Sequence, residues 1–241
     1  MNIESKTILI TGANRGVDRA LVEETLNRGA KRVYGGTRQP FKHSDQRVTP
    51  VILDVTNAEQ IQKAIESIAN LDILVNNAGI DPHDDLSDRA GIERHLAVNL
   101  FGTHGVTQAF LPLLVRSQGA IVNVLSLAAL ASTVQSGIRD LEGGCVLNDA
   151  IAACSLGGTW CEVHAVFAGS VDTDMTRSLD IPKASPEYVA RAILDGMERR
   201  EEDIFPDPMS AGIAAGWRSS VSKMLERQFS DYAPENMAKR A

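Results

Sequence analysis

Residues 6–18 read Lys6-Thr7-Ile8-Leu9-Ile10-Thr11-Gly12-Ala13-Asn14-Arg15-Gly16-Val17-Asp18: an apolar run, a glycine-containing turn and the start of an amphipathic segment. The pattern predicts a strand over Lys6–Thr11. It predicts a helix over Val17–Leu26, with Val17, Ala20, Leu21 and Leu26 at helical spacing and Gly29 where the helix stops. A glycine turn that leads from a strand into a helix lets backbone approach a pyrophosphate closely, with the helix N–H groups aimed at it. A glycine pair alone is weak evidence, because ordinary turns also use glycine. Its place directly after the first strand is what strengthens it.

Outward from this stretch the pattern alternates. Strands are expected at Arg32–Gly35, Thr49–Asp54, Asp72–Val75, Ala120–Leu125 and Val163–Phe167. Helices are expected at Ala58–Ile68 and Leu96–Val115, and Val146, Leu147, Ala150, Ile151 and Cys154 form a further apolar stripe at helical spacing. Apolar strands alternating with helices imply an α/β fold with a doubly wound parallel sheet. No repeat, low-complexity tract or linker divides the chain, so one domain over 1–241 is expected. The more polar tail, 176–241, contains the helix start Ser185-Pro186-Glu187 and is expected to supply a substrate lid and the last helices.

Composition narrows the function. A chain of 241 residues can bury a full α/β core. Net charge is −7 and there is no Lys/Arg block, which argues against nucleic acid or an anionic membrane as partner. No apolar run approaches the ~20 residues of a membrane span, and the N-terminus lacks signal-peptide shape, so the cytoplasm is expected. Cys145, Cys154 and Cys161 all fall within 138–161. With His164 they match no zinc spacing, and no metal site is expected.

Further motifs follow in order along the chain: Leu53-Asp54-Val55, Asn76-Asn77-Ala78-Gly79, Val98-Asn99-Leu100-Phe101-Gly102, Val122-Asn123-Val124-Leu125-Ser126 and Ala168-Gly169-Ser170-Val171-Asp172-Thr173. With the glycine turn they resemble the classical short-chain dehydrogenase/reductase family. The resemblance covers 1–137 and 162–209. It implies a Rossmann-type sheet, a nicotinamide dinucleotide as cofactor and a small-molecule carbonyl or alcohol as substrate. On it, Gly12, Asn14, Arg15, Gly16 and Val17 cradle the pyrophosphate. Asp54 and Val55 meet the adenine, while Asn77, Ala78 and Gly79 shape the adenine and ribose pocket. Thr173 holds the nicotinamide amide, Ser126 orients the substrate oxygen and Asn99 holds a water in the proton relay. Two departures stand out: Asp18 replaces the third glycine of the turn, and Ala168 replaces a proline. Asp18 adds bulk and negative charge close to phosphate, so weaker cofactor binding is expected.

The second strand ends in Gly35-Gly36-Thr37-Arg38, with no acid to bond a ribose diol. Arg38 and Arg15 are placed to meet a 2′-phosphate, as in the family's NADP-preferring members. NADP is therefore the expected cofactor, with NAD as the alternative.

The family's catalytic Tyr and Lys are not in the sequence. The expected spacing after Ser126 lands on Arg139, and four residues on, on Gly143. Tyr34, Tyr188 and Tyr232 are the only tyrosines, and none is followed four residues on by Lys. Arg139 cannot serve as an acid, because a guanidinium holds its proton throughout the working range. The loss is expected to impair the reaction by at least ~10²–10⁴-fold, leaving either a crippled oxidoreductase or a nucleotide-binding protein without redox turnover. Segment 138–161 is foreign in composition, with every cysteine, two Gly-Gly pairs and no lysine. One allowed set of codons for Gly137–Cys145, regrouped by one base, reads Ala-Tyr-Ala-Thr-Trp-Lys-Ala-Ala. A shifted reading frame therefore accounts for the block, and true divergence is the other account. The family's helix at this place builds dimers or tetramers, so the altered segment counts against a homo-oligomer.

Overall fold

The computed structural model describes residues 1–81, 88–130 and 161–230. Seven strands form one sheet: β1 (Thr7–Thr11), β2 (Arg32–Thr37), β3 (Val48–Ile52), β4 (Ile73–Asn76), β5 (Ala120–Ser126), β6 (Glu162–Ala168) and β7 (Asp203–Ile204). Their order is β3-β2-β1-β4-β5-β6-β7, and every pairing is parallel. The order reverses between β1 and β4, where a doubly wound sheet opens a crevice at its carboxyl edge.

Strand alternation explains the two cores. Side chains of successive strand residues face opposite ways. Ile8 and Ile10 of β1, Ile73 and Val75 of β4, and Ala120 and Val122 of β5 enter one cluster. Leu9, Leu74 and Ile121, the residues between them, enter the other. The first core is closed by α1 (Gly16–Asn27) and the second by α2 (Ala58–Ser67). Helix α2 begins where expected because the Asn57 side chain accepts the Gln60 N–H as its N-cap.

The long helix expected at Leu96–Val115 begins earlier and is not uniform. It runs as α3 (Arg89–His95), a π-helical segment (Leu96–Gly102) and α4 (Thr103–Ser117). The wider turn falls where Gly102 meets Val55: a Cβ on Gly102 would stand 2.6 Å from Val55 Cγ2. Segments of this kind mark functional sites in many helices, and this one carries Asn99.

The tail supplies a helix to the core. After Ser185, whose side chain caps Tyr188 N, α5 (Pro186–Glu198) buries Val189, Ala190, Ile193, Leu194 and Met197 in the first core. Its amphipathic stripe makes it a structural layer beside α1. Arg28 ties the two helices together through Glu24 (2.9 Å), Asp195 (2.7 Å) and Glu198 (2.9 Å). Phe205 and Trp217 pack around Phe167 of β6, with ring centroids 5.5 and 5.6 Å away.

The last described helix, Val221–Ser230, is anchored by a buried cation. Lys223 Nζ lies 3.0 Å from Asp203 and 2.7 Å from Glu226, with its side chain 3 % exposed. Burial pushes its pKa down, but the hydrogen bonds from Glu226 and Asp203 outweigh that and hold it above the ordinary lysine value. Lys223→Met would leave Asp203 buried with the Trp217 indole N–H as its remaining donor. Breaking a buried pair from one side costs about 3 kcal/mol, so the variant is expected to melt several degrees lower by calorimetry.

Candidate active site

The carboxyl ends of β1, β4, β5 and β6 gather the sequence motifs at one edge. Thr11, the last residue of β1, does the joining. Its Oγ1 accepts hydrogen bonds from the N–H groups of Asn77 and Ala78, 3.0 Å each, and donates to the Val75 carbonyl. The glycine turn is thereby fixed against the Asn77-Ala78-Gly79 segment. Thr11 is absent from the candidates drawn from sequence; the signal available was a hydroxyl at the junction of strand and glycine turn.

Gly12 has φ +86° and Gly16 φ +58°, a region that costs other L-residues ~1–2 kcal/mol. Space constrains both as well. A Cβ on Gly12 would lie 3.2 Å from Ala78 Cα, and one on Gly16 would lie 3.1 Å from Thr173 Cγ2. Thr173 thus reaches the glycine turn from the loop after β6, bringing together two motifs far apart in sequence. Helix α1 starts at Gly16 with no side chain capping it, whereas Asn57 and Ser185 cap α2 and α5. Its first-turn N–H groups therefore face the turn without a side-chain acceptor, as an anionic diphosphate requires. Asn14 and Arg15 are exposed, and the Arg15 guanidinium lies 3.6 Å from Asp174.

Arg38 is exposed beyond the end of β2. Its charge acts on Asp54, whose burial raises its pKa while hydrogen bonds from the Thr56 hydroxyl (2.7 Å) and N–H (2.9 Å), together with Arg38, bring the net value down. Asp54 is an anion held beside a cation. The Val55 side chain is buried against Gly102, which leaves its backbone as the part able to meet a base. Val17 is half-buried and packs on the first core.

At the other end, Asn99 is placed by the π-helical segment against the residues after β4. Its Oδ1 accepts from Ile80 N (2.9 Å), and its Nδ2 donates to Ile80 O (2.9 Å) and His95 Nε2 (3.0 Å). A Cβ on Gly79 would touch Asn99 Oδ1 at 3.5 Å. Ser126 ends β5 half-buried, and its Oγ accepts the Ala128 N–H at 3.1 Å, which leaves the hydroxyl proton to donate to a substrate oxygen. Behind the site, buried Asn76 donates to Thr107 Oγ1 and Asn123 Oδ1, 2.9 Å each, locking β4, β5 and α4 together. Arg139, Gly143, Tyr232 and the apolar stripe Val146–Cys154 lie outside the described residues.

Asp18 sits under the turn. Its Oδ2 is 2.9 Å from where a Cβ on Gly12 would stand. Its Oδ1 is sealed from solvent with no hydrogen-bond partner. Burial raises its pKa well above the ordinary value, and the charge of Arg15 offsets this only in part. A carboxyl whose pKa rises on folding keeps its proton in the native state after the unfolded chain has lost it. Stability therefore falls as pH climbs above the unfolded value of ~3.9, by up to ~1.4 kcal/mol per pH unit until the native group ionises. Asp18→Asn removes that loss. It is expected to match the parent's melting temperature at pH 4 and to exceed it at higher pH, by a margin that stops growing once the native carboxyl ionises.

The comparisons agree with this arrangement. The short chain dehydrogenase family profile matches residues 6–138. The 3-oxoacyl-[acyl-carrier-protein] reductase FabG of Thermotoga maritima is 31 % identical over 84 % of this chain and 88 % of its own. The Aquifex aeolicus enzyme of the same name is 32 % identical over 80 % and 90 %. A Burkholderia cenocepacia short chain dehydrogenase crystallised with NADP is 31 % identical, with a TM-score of 0.84 over 94 % of this chain and 98 % of that one. This chain belongs to the short-chain dehydrogenase family.

Proposed function

We propose that the chain is an NADP-preferring oxidoreductase scaffold for a carbonyl/alcohol pair, with its chemistry impaired by the missing Tyr and Lys. The observation that carries this reading is the joining of the glycine turn, Asn77–Gly79 and Thr173 at one edge of the sheet, with an uncapped helix N-terminus facing it. The residues fit a dinucleotide: two glycines in conformations that bring bare backbone forward, free first-turn N–H groups, and Arg38 and Arg15 available to a 2′-phosphate. The Burkholderia relative's NADP complex supports the choice of cofactor, and the 3-oxoacyl reductases support a ketone as the oxidised substrate.

When bound, the nicotinamide supplies or accepts a hydride. The chain's own residues do the rest. Ser126 donates its hydroxyl proton to the substrate oxygen and fixes that oxygen's position. Asn99, held on both faces by Ile80, orients a water beside it. The glycine turn and Thr173 hold the dinucleotide's orientation. No tyrosine in the sequence is spaced to deliver the proton with a lysine four residues on, and general acid–base help of this kind is worth ~10²–10⁴-fold. That same absence favours the second reading, a nucleotide-binding protein without redox turnover. Titration with NADPH, followed by turnover on a panel of ketones and aldehydes, separates the two. Binding with slow turnover supports the impaired oxidoreductase, binding with none selects the second reading, and no binding refutes both.

A further inference from the structure

The carboxyl of Asp18 occupies the floor of the glycine turn, where the diphosphate of a dinucleotide would come to rest on the reading above. Its Oδ2 and the Ala78 backbone both border the space where a Cβ on Gly12 would stand, at 2.9 and 3.2 Å from that point. Its Oδ1 is sealed from solvent, with no hydrogen-bond partner among the described residues. An ionised carboxylate there would be desolvated and would face a second anion. A neutral carboxyl would present a proton instead of a charge.

We propose that Asp18 is a proton switch on the dinucleotide site: the diphosphate is accepted while the Asp18 carboxyl is neutral and is released as that carboxyl ionises. The surroundings contain little to override this. From the glycine turn, Arg15 is the one charge acting on Asp18 among the described residues. Arg15 is exposed, and Asp174 from the loop after β6 shares it at 3.6 Å. The Asn77-Ala78-Gly79 segment on the other side carries no charge. The dipole at the start of α1 favours the anion, but it would be spent on the diphosphate once that is bound. Burial accordingly sets the direction of the carboxyl's pKa, upward. The inference rests on the dinucleotide reading of the site and adds a pH dependence to it.

The test measures NADH and NADPH binding by fluorescence between pH 6 and 9 for the parent, Asp18→Asn and Asp18→Gly. NADH carries its charge on the diphosphate alone. The 2′-phosphate of NADPH gains charge as pH rises and would strengthen binding to arginines, the opposite trend. The parent is expected to bind NADH at least tenfold more weakly on the basic side of the Asp18 titration than on its acid side, while Asp18→Asn changes less than twofold over the same range. The Asp18 carboxyl carbon, assigned by comparison with Asp18→Asn, is expected to titrate by NMR well above ~3.9 in the free protein. Parallel pH profiles for parent and Asp18→Asn, or a carboxyl titrating in the ordinary range, overturn the switch and leave the dinucleotide reading standing. Failure of the parent and Asp18→Gly to bind either dinucleotide at any pH overturns both.

Discussion

Exchanging 138–145 for the regrouped Ala-Tyr-Ala-Thr-Trp-Lys-Ala-Ala, which puts a tyrosine and a lysine at positions 139 and 143, is expected to raise carbonyl-reducing turnover by about 10²–10⁴-fold. A tyrosine hydroxyl with an unperturbed pKa of ~10 needs a neighbouring cation to work near neutral pH, and a lysine one helical turn away supplies it. The rest of the site is already placed. Ser126 has its proton free to point at a substrate oxygen, and Asn99 is clamped by Ile80 and His95. The double substitution Arg139→Tyr, Gly143→Lys alone is expected to recover part of that gain, because Gly144 remains to weaken any helix that must hold the pair. Steady-state turnover with saturating NADPH is the measurement, and an unchanged rate in both variants would count against an intact scaffold. The coding explanation has its own check: DNA whose codons over 137–158 cannot yield Tyr-x-x-x-Lys in any frame rules it out.

The second large effect is at Gly12. Gly12→Ala is expected to weaken NADPH binding by about 30-fold and to lower the melting temperature. Alanine at φ +86° costs ~1–2 kcal/mol. Its Cβ would also stand 3.2 Å from Ala78 Cα, backbone that Thr11 holds in place and that cannot retreat cheaply. The turn would relax away from the conformation that exposes its N–H groups, and ligand binding would have to restore it. About 2 kcal/mol of such restoration corresponds to the 30-fold loss. The measurement is a fluorescence titration beside a thermal melt. A variant that melts lower but binds equally well would show that the glycine serves the fold and not the ligand.

The parts of this molecule that were legible in its sequence are those built on strong periodicity or on a cap. Ile8-Leu9-Ile10 and Ile73-Leu74-Val75 read as buried strands because parallel strands covered on both faces are apolar throughout. Ser185-Pro186-Glu187 announced α5 because a hydroxyl cap, a proline at the first position and an acid in the first turn each favour a helix start. The destination of α5 was not legible: amphipathicity says that one face is buried, not against what. Helix α3 was hidden by its polarity, since Arg89–His95 offers Ile92 as its one large apolar residue. The π-helical segment has no sequence period of its own and ends where Gly102 lies close to Val55. Strand β7, two residues long, carries no pattern to detect.

The site divides in the same way. Glycines, Ser126 and the asparagines stand at strand ends where their types already imply turns or ligands. The joining roles of Thr11 and of the Asn76–Asn123–Thr107 network come from tertiary neighbours and leave only a polar residue in an apolar run as trace. Asp18 was legible as a departure, but not its environment: nothing in the sequence says that one carboxylate oxygen is sealed without a partner.

The most direct test of the central claim is titration of the parent chain with NADPH at pH 6, followed by cofactor fluorescence, with NADH as competitor. Saturable binding is expected, at least tenfold tighter for NADPH than for NADH, with loss of that preference in Arg38→Ala. Absence of saturable binding by either dinucleotide would contradict the claim.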